Sequence, residues 1–159
     1  GGKDAERGVK VLLEIINTEV QNHGENLYRY FFVSSFYPSV LKEIRKHNGQ
    51  LTTAFAVTKT PNNHKLKSKL GVLLAPLIIR KHNASIIEPN LCLVDRRFVR
   101  KYHKKGIAIN AWTANTKCEK EYLSQFTIAH TTNCPYDTCE PDPSDQIGKP
   151  KKWCAKCTK

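Results

Sequence analysis

Residues 9–20 (VKVLLEIINTEV) carry apolar side chains at helical spacing, and Gly24 stands just beyond. The pattern predicts an amphipathic helix with a glycine stop. Residues 30–35 (YFFVSS) are aromatic and β-branched, as in a buried strand. Pro38 then opens a segment whose Val40, Leu41 and Ile44 form an apolar stripe, and Gly49 closes it. The next strand is expected over 51–57, followed by a polar loop (TKTPNNHK) and an apolar, at least partly helical, segment around 70–81. A short strand at 85–87 runs into Glu88-Pro89-Asn90. Residues 95–105 (DRRFVRKYHKK) read as a helix with Phe98, Val99 and Tyr102 on one side and a basic opposite face, ended by Gly106. A strand over 107–113 points Ile107, Ile109 and Ala111 one way and Ala108, Asn110 and Trp112 the other. A short helix over 118–123 and a last strand over 127–130 complete the pattern.

Short strands alternating with helices indicate a parallel α/β architecture with right-handed crossovers. From about Cys134 the pattern changes to Pro, Asp, Lys and four Cys, so the chain divides into an α/β part, 1–133, and a Cys-rich basic tail, 134–159. The 159 residues suffice for a real core. The longest apolar stretch, 70–79, is interrupted by Pro76 and falls short of the roughly 18–20 residues of a membrane span, so no transmembrane segment is expected. Lys and Arg outnumber Asp and Glu 26 to 14, a net charge of +12 that attracts anions without choosing among phosphorylated metabolites, lipid headgroups and nucleic acid. No nucleic-acid motif accompanies the charge, so specific nucleic-acid binding is not expected. The chain has no methionine and begins Gly1-Gly2-Lys3, which favours a piece of a longer precursor.

Three segments carry a family resemblance. VSSFYPSVLKEIRK (33–46) is similar to a strand-to-helix segment of the glycerophosphodiester phosphodiesterases. IIEPNLCLVDRRFVRKYHKKGIAINAWTANTKCEKEYL (86–123) resembles that family's run from a strand ending in Pro, through a His-x-x-Gly turn, to a strand closing on Trp-Thr-x-Asn. TIAHTTNCP (127–135) stands where the family has its last strand. The resemblance covers roughly 9–135 and implies a TIM-type (β/α)₈ barrel, of which this chain supplies about five parallel strands, the fourth to the eighth. The first three strands of such a barrel bring the family's His-Arg-Gly motif, its catalytic His pair and its metal-binding carboxylates. Nothing here replaces them: Glu6-Arg7-Gly8 lacks the His, and Glu14 reads as a helix surface residue. The resemblance therefore implies metal-dependent phosphodiester hydrolysis in glycerophospholipid metabolism, but no catalytic residue in this chain. The chain alone is expected to be inactive.

It follows that a calcium or magnesium ion is expected only if the missing strands are supplied. The partner is then a second chain completing the barrel, or a further copy of this one, because an open barrel exposes strand edges. The alternative is a non-catalytic, degenerate barrel module with a binding or assembly role. In either case the expected ligand is a glycerophosphodiester or another anionic phosphate. Barrel sites gather at the C-terminal strand ends, which selects Ser35, Phe36, Glu88, Asn90, Trp112 and Asn115 as substrate-binding candidates. Trp112 suits an alkyl group or a choline-type cation, or equally a core position. Glu88 suits a metal, a ligand hydroxyl or, most simply, a salt bridge. Ser35 suits the start of the next helix better than nucleophilic chemistry. His103 belongs to a helix end, where its charge opposes the dipole, and His130 lies near a strand end.

Cys134, Cys139, Cys154 and Cys157 have spacings that fit a four-thiolate zinc site. They also fit disulfides, with Cys92 and Cys118 as a third pair, and the even count leans that way. The sequon Asn83-Ala84-Ser85 is compatible with a secreted or vesicular protein, the alternative being cytoplasmic.

Overall fold

A computed structural model describes residues 2–58, 65–126, 128–133 and 135. Among the described residues five helices and five strands alternate: α1 Gly2–His23, β1 Val33–Ser35, α2 Pro38–His47, β2 Thr53–Val57, α3 Lys65–His82, β3 Ile86–Pro89, α4 Arg96–His103, β4 Ala108–Ala111, α5 Lys117–Ser124 and β5 Ala129–His130. The registered strand pairs run parallel: Val33 to Ser35 of β1 face Thr53 to Phe55 of β2, and Asn110 and Ala111 of β4 face Ala129 and His130 of β5. The α/β alternation and parallel strands are those of a partial (β/α) barrel. Among the described residues no helix is long and apolar enough to cross a membrane.

The chain forms two compact units, one from residues 1–56 and 75–86, the other from 57–74 and 87–159, so the boundary falls inside β2 and at the start of β3. In the first unit the apolar stripe of α1 works as the spacing predicts. Val9, Leu13 and Ile16 are buried with Ile44 of α2 and Leu51, and Tyr28, Phe31, Val33 and Val40 pack against them. Gly24 ends α1 at φ +84 and ψ 162, a conformation that costs a side-chain-bearing residue about 1–3 kcal/mol. The aromatic run at 30–35 is strand only over its last three residues. A 3₁₀ turn at Glu25–Arg29 precedes it, and Tyr28 and Phe31 serve the helix-facing core instead of a sheet. Every residue of β2 is buried, as expected for a parallel strand covered on both faces. Arg45 ties the ends of this unit's loops, donating to the carbonyls of Gly49 and Asn83, both at 2.6 Å.

In the second unit the buried apolar side chains include Ile87, Leu91, Val94, Val99, Tyr102, Ile109, Ala111, Ala114 and Leu123. Asp95 caps α4, its carboxylate accepting from the Phe98 N–H at 2.7 Å. Thr116 and Glu119 form a reciprocal capping box on α5. Helix α4 ends at His103, and Gly106 follows at φ +67.

Candidate functional site

The second unit places polar side chains on three successive C-terminal strand ends. Asn90 and Trp112 form a parallel bridge, with the Leu91 N–H donating to the Trp112 carbonyl at 2.6 Å and the Trp112 N–H to the Pro89 carbonyl at 3.0 Å. On the other side of β4 the Thr131 N–H donates to the Ala111 carbonyl at 2.8 Å. This register brings Glu88, Asn110 and Thr131 into one row. The Asn110 amide nitrogen donates to Glu88 Oε1 at 2.5 Å and to Thr131 Oγ1 at 3.0 Å. Both amide protons are used, so Asn110 fixes a carboxylate and a hydroxyl on either side of itself. Glu88 and Asn110 are each 7% exposed, and such groups are retained inside a fold only when hydrogen-bonded. Trp112 completes the cluster: its Nε1–H donates to the Glu88 carbonyl at 2.9 Å, which sets the ring beside the row.

The remaining candidates are placed differently. Asn90 caps the 3₁₀ turn at Leu91–Leu93, its Oδ1 accepting from the Cys92 N–H at 3.1 Å. Asn115 is buried, and its Oδ1 accepts from the Asn133 N–H at 2.8 Å and the Thr132 hydroxyl at 3.3 Å, pinning the chain after β5. Glu119 holds the same loop from below, one carboxylate oxygen accepting from the N–H groups of Asn115 (2.9 Å) and Thr116 (3.0 Å). Ser35 and Phe36 belong to the first unit. The Ser35 hydroxyl accepts from the Tyr37 N–H at 3.1 Å, closing the turn before α2, while Phe36 is exposed. Glu14 is a surface residue of α1, and His130 is exposed on β5.

One cysteine expectation is corrected. Cys92 keeps its thiol outside any disulfide, whereas Cys118 is disulfide-bonded, so the two are not a pair. Cys92 sits in the turn that the Asn90 side chain caps. The tail cysteines Cys134, Cys139, Cys154 and Cys157 lie outside the described residues.

The cluster brings together two of the sequence candidates, Glu88 and Trp112, with Asn110 and Thr131, which were not singled out from the sequence. The signal was present: Asn110 is an amide in the middle of an apolar strand, on the same alternation as Trp112, and a buried amide needs partners. A divalent cation does not fit this cluster as it stands. Among the described residues no three His, Cys, Asp or Glu side chains gather to hold one. What the row offers is a carboxylate acceptor, a hydroxyl and an indole face, which suits a polyol with short carbon segments.

Comparison with solved structures agrees with the α/β fold. The chain resembles a glycerophosphodiester phosphodiesterase of Parabacteroides distasonis (TM-score 0.61, 11% identity), covering 99% of this chain and 54% of that one. It resembles an Oleispira antarctica phosphodiesterase, solved with the product sn-glycerol-3-phosphate, at TM-score 0.50 and 13% identity, covering 64% and 37%. A Silicibacter pomeroyi protein described as a glycerophosphoryl diester phosphodiesterase gives TM-score 0.62 and 17% identity, covering 84% and 42%. This chain thus spans about half the length of these structures or less. No curated protein matches its sequence. Residues 4–131, most of the chain, match the family profile itself, and the chain belongs to the glycerophosphoryl diester phosphodiesterase family.

Proposed function

We propose that this chain forms the ligand-positioning side of a glycerophosphodiester phosphodiesterase-type hydrolase, with its acid–base and metal-binding groups contributed from outside these 159 residues. The observation that carries this reading is the row Glu88–Asn110–Thr131 beside the Trp112 ring, at strand ends where barrel enzymes build their sites. In it, the Glu88 carboxylate accepts a hydrogen bond from a glycerol hydroxyl, and the Trp112 ring packs on the carbon segment. Asn110 keeps both groups oriented before the ligand arrives, which removes part of the ordering cost of binding. A neighbour in the same fold was solved with sn-glycerol-3-phosphate, and we extend that ligand class to this site. The remaining groups come from a second chain or from further sequence of the same protein. Secretion or a vesicular location belongs to the same reading. The disulfide at Cys118 and the exposed sequon residue Asn83 support it.

The test is release of glycerol 3-phosphate from glycerophosphocholine, with calcium or magnesium present. The chain alone is expected to release none. Joined to the barrel strands that carry the family's His pair and carboxylates, it is expected to turn over, and Glu88→Gln is expected to raise KM more than it lowers kcat. Metal-dependent hydrolysis by the isolated chain would overturn the division of labour. The second reading is a non-catalytic binding module, in which the hydrogen-bonded row Glu88–Asn110–Thr131 holds a ligand without turning it over. Saturable ligand binding without turnover in the completed barrel would establish it.

A further inference from the structure

We infer that the outer face of α4 is a docking surface for an anionic membrane. Helix α4 and the turn after it carry Arg96, Arg97, Arg100, Lys101, Lys104 and Lys105, all exposed, within ten residues. At about 100° per residue the four cations on the helix, Arg96, Arg97, Arg100 and Lys101, cover one continuous arc of about 140°, and Lys104 and Lys105 follow in the turn. Phe98, Val99 and Tyr102 occupy the opposite side, and Val99 and Tyr102 are buried. The helical cations therefore spread over a convex surface strip rather than gathering at one point.

Three features show that this face is not an ordinary solvated one. Arg96 and Arg100, Arg97 and Lys101, and Arg100 and Lys104 are like charges at i,i+4, a spacing that destabilises a helix. Two of the cations, Arg96 and Arg97, stand in the first turn, where the helix dipole disfavours positive charge, and that turn holds no acidic residue. The adjacent carboxylate, Asp95, is committed to capping the Phe98 N–H. Two other helices pair some of their charges internally: on α2 Glu43 bridges Lys46 and His47, and on α1 Glu19 faces His23. An external array of anions would relieve the repulsion that α4 retains. A plane of lipid phosphates matches a broad convex strip of point charges, with each cation near the surface adding to the attraction. Nucleic acid matches it less well, because the arc displays no aromatic ring for stacking on bases and no Asn or Gln for reading base edges. This surface stands independently of the strand-end cluster and of any hydrolytic activity.

The experiment is co-sedimentation of the full chain with vesicles of phosphatidylcholine, with and without phosphatidylserine. Binding is expected only with phosphatidylserine, and is expected to be lost between about 0.1 M and about 0.5 M salt. Arg97→Glu/Arg100→Glu/Lys104→Glu is expected to weaken it roughly tenfold or more. The equally charged control Lys42→Glu/Arg80→Glu/Lys81→Glu, on exposed positions of α2 and α3, is expected to weaken it far less. A glutamine version of the α4 triple, with helix content compared by circular dichroism, separates loss of charge from loss of fold. Equal effects of the two reversals would overturn the proposal, since net charge alone would then explain binding. So would failure to bind either vesicle, or tighter α4-dependent binding to an oligonucleotide than to the anionic vesicle.

Discussion

The indole N–H of Trp112 donates to the backbone carbonyl of Glu88 at 2.9 Å, so the residue just after β4 is locked to the one that carries the cluster's carboxylate. Because Asn110, two residues earlier, reaches the side chain of the same glutamate, strand β4 grips Glu88 from both its backbone and its carboxylate. The cluster is a built arrangement and not a chance meeting of surface groups.

Asn110→Leu leaves the buried Glu88 carboxylate and the Thr131 hydroxyl without their shared donor. The expected loss is about 1–3 kcal/mol in urea unfolding, with the slope m unchanged. Asn110→Asp is expected to cost more near neutral pH, because it sets a second carboxylate against Glu88. An Asn110→Leu variant as stable as the parent would mean that the network contributes nothing.

Tyr102 is fully buried and its hydroxyl has no hydrogen-bond partner. Burial pushes its pKa up to about 12 from 10.0. A folded pKa above the unfolded one means that the stability contribution is present below pH 10 and is lost as pH rises from there towards about 12. Tyr102→Phe is therefore expected to match or exceed the parent by up to about 1 kcal/mol at neutral pH and to lose the tyrosine-dependent part of the alkaline decline. Thermal unfolding at neutral pH and above pH 10 checks both parts.

Burial lowers the pKa of His82 below 6.5, with Lys81 and Lys42 adding to the effect. The folded chain then binds this proton less readily than the unfolded chain. Stability from His82 is present above its unfolded pKa and falls as pH drops through that value. His82→Gln is expected to flatten the stability profile between about pH 7.5 and about pH 5.5. An unchanged profile would show that His82 does not contribute there.

Much of the fold was legible in the sequence because its helices are amphipathic and its strands short and punctuated. The stripe Val9, Leu13 and Ile16 is buried as its spacing predicts, and Asp95 opens α4 where a cap was available. The 3₁₀ turn at Glu25–Arg29 was not legible, because an aromatic run looks the same whether it pairs in a sheet or packs under a helix. Pro76 reads as an interruption, yet α3 continues through it from Lys65 to His82. Of the site, Glu88 and Trp112 could be chosen from strand ends alone. The partnership of Glu88 with Asn110 and Thr131 depends on the register between three strands, which no single segment encodes. The burial of Glu119 is of the same kind, since a capping glutamate is ordinarily exposed.

Glu119 gives a further check on the loop that follows Trp112. Its carboxylate accepts from two consecutive backbone N–H groups, those of Asn115 and Thr116. Glu119→Ala is expected to cost about 1–3 kcal/mol and to speed amide hydrogen exchange at both residues, whereas Glu119→Gln retains an acceptor and costs less. Unaltered exchange at Asn115 in Glu119→Ala would contradict this role.

The central claim is that the Glu88–Asn110–Trp112–Thr131 cluster takes the glycerol end of a phosphorylated ligand. The most direct measurement follows the indole N–H resonance of Trp112 while sn-glycerol 3-phosphate is titrated into the full chain, with assignment by a Trp112→Phe control. A saturable shift of that resonance, abolished in Asn110→Leu while the α4 resonances behave as in the parent, is the predicted result. A Trp112 resonance that stays in place while only the lysine- and arginine-rich surfaces respond would contradict it.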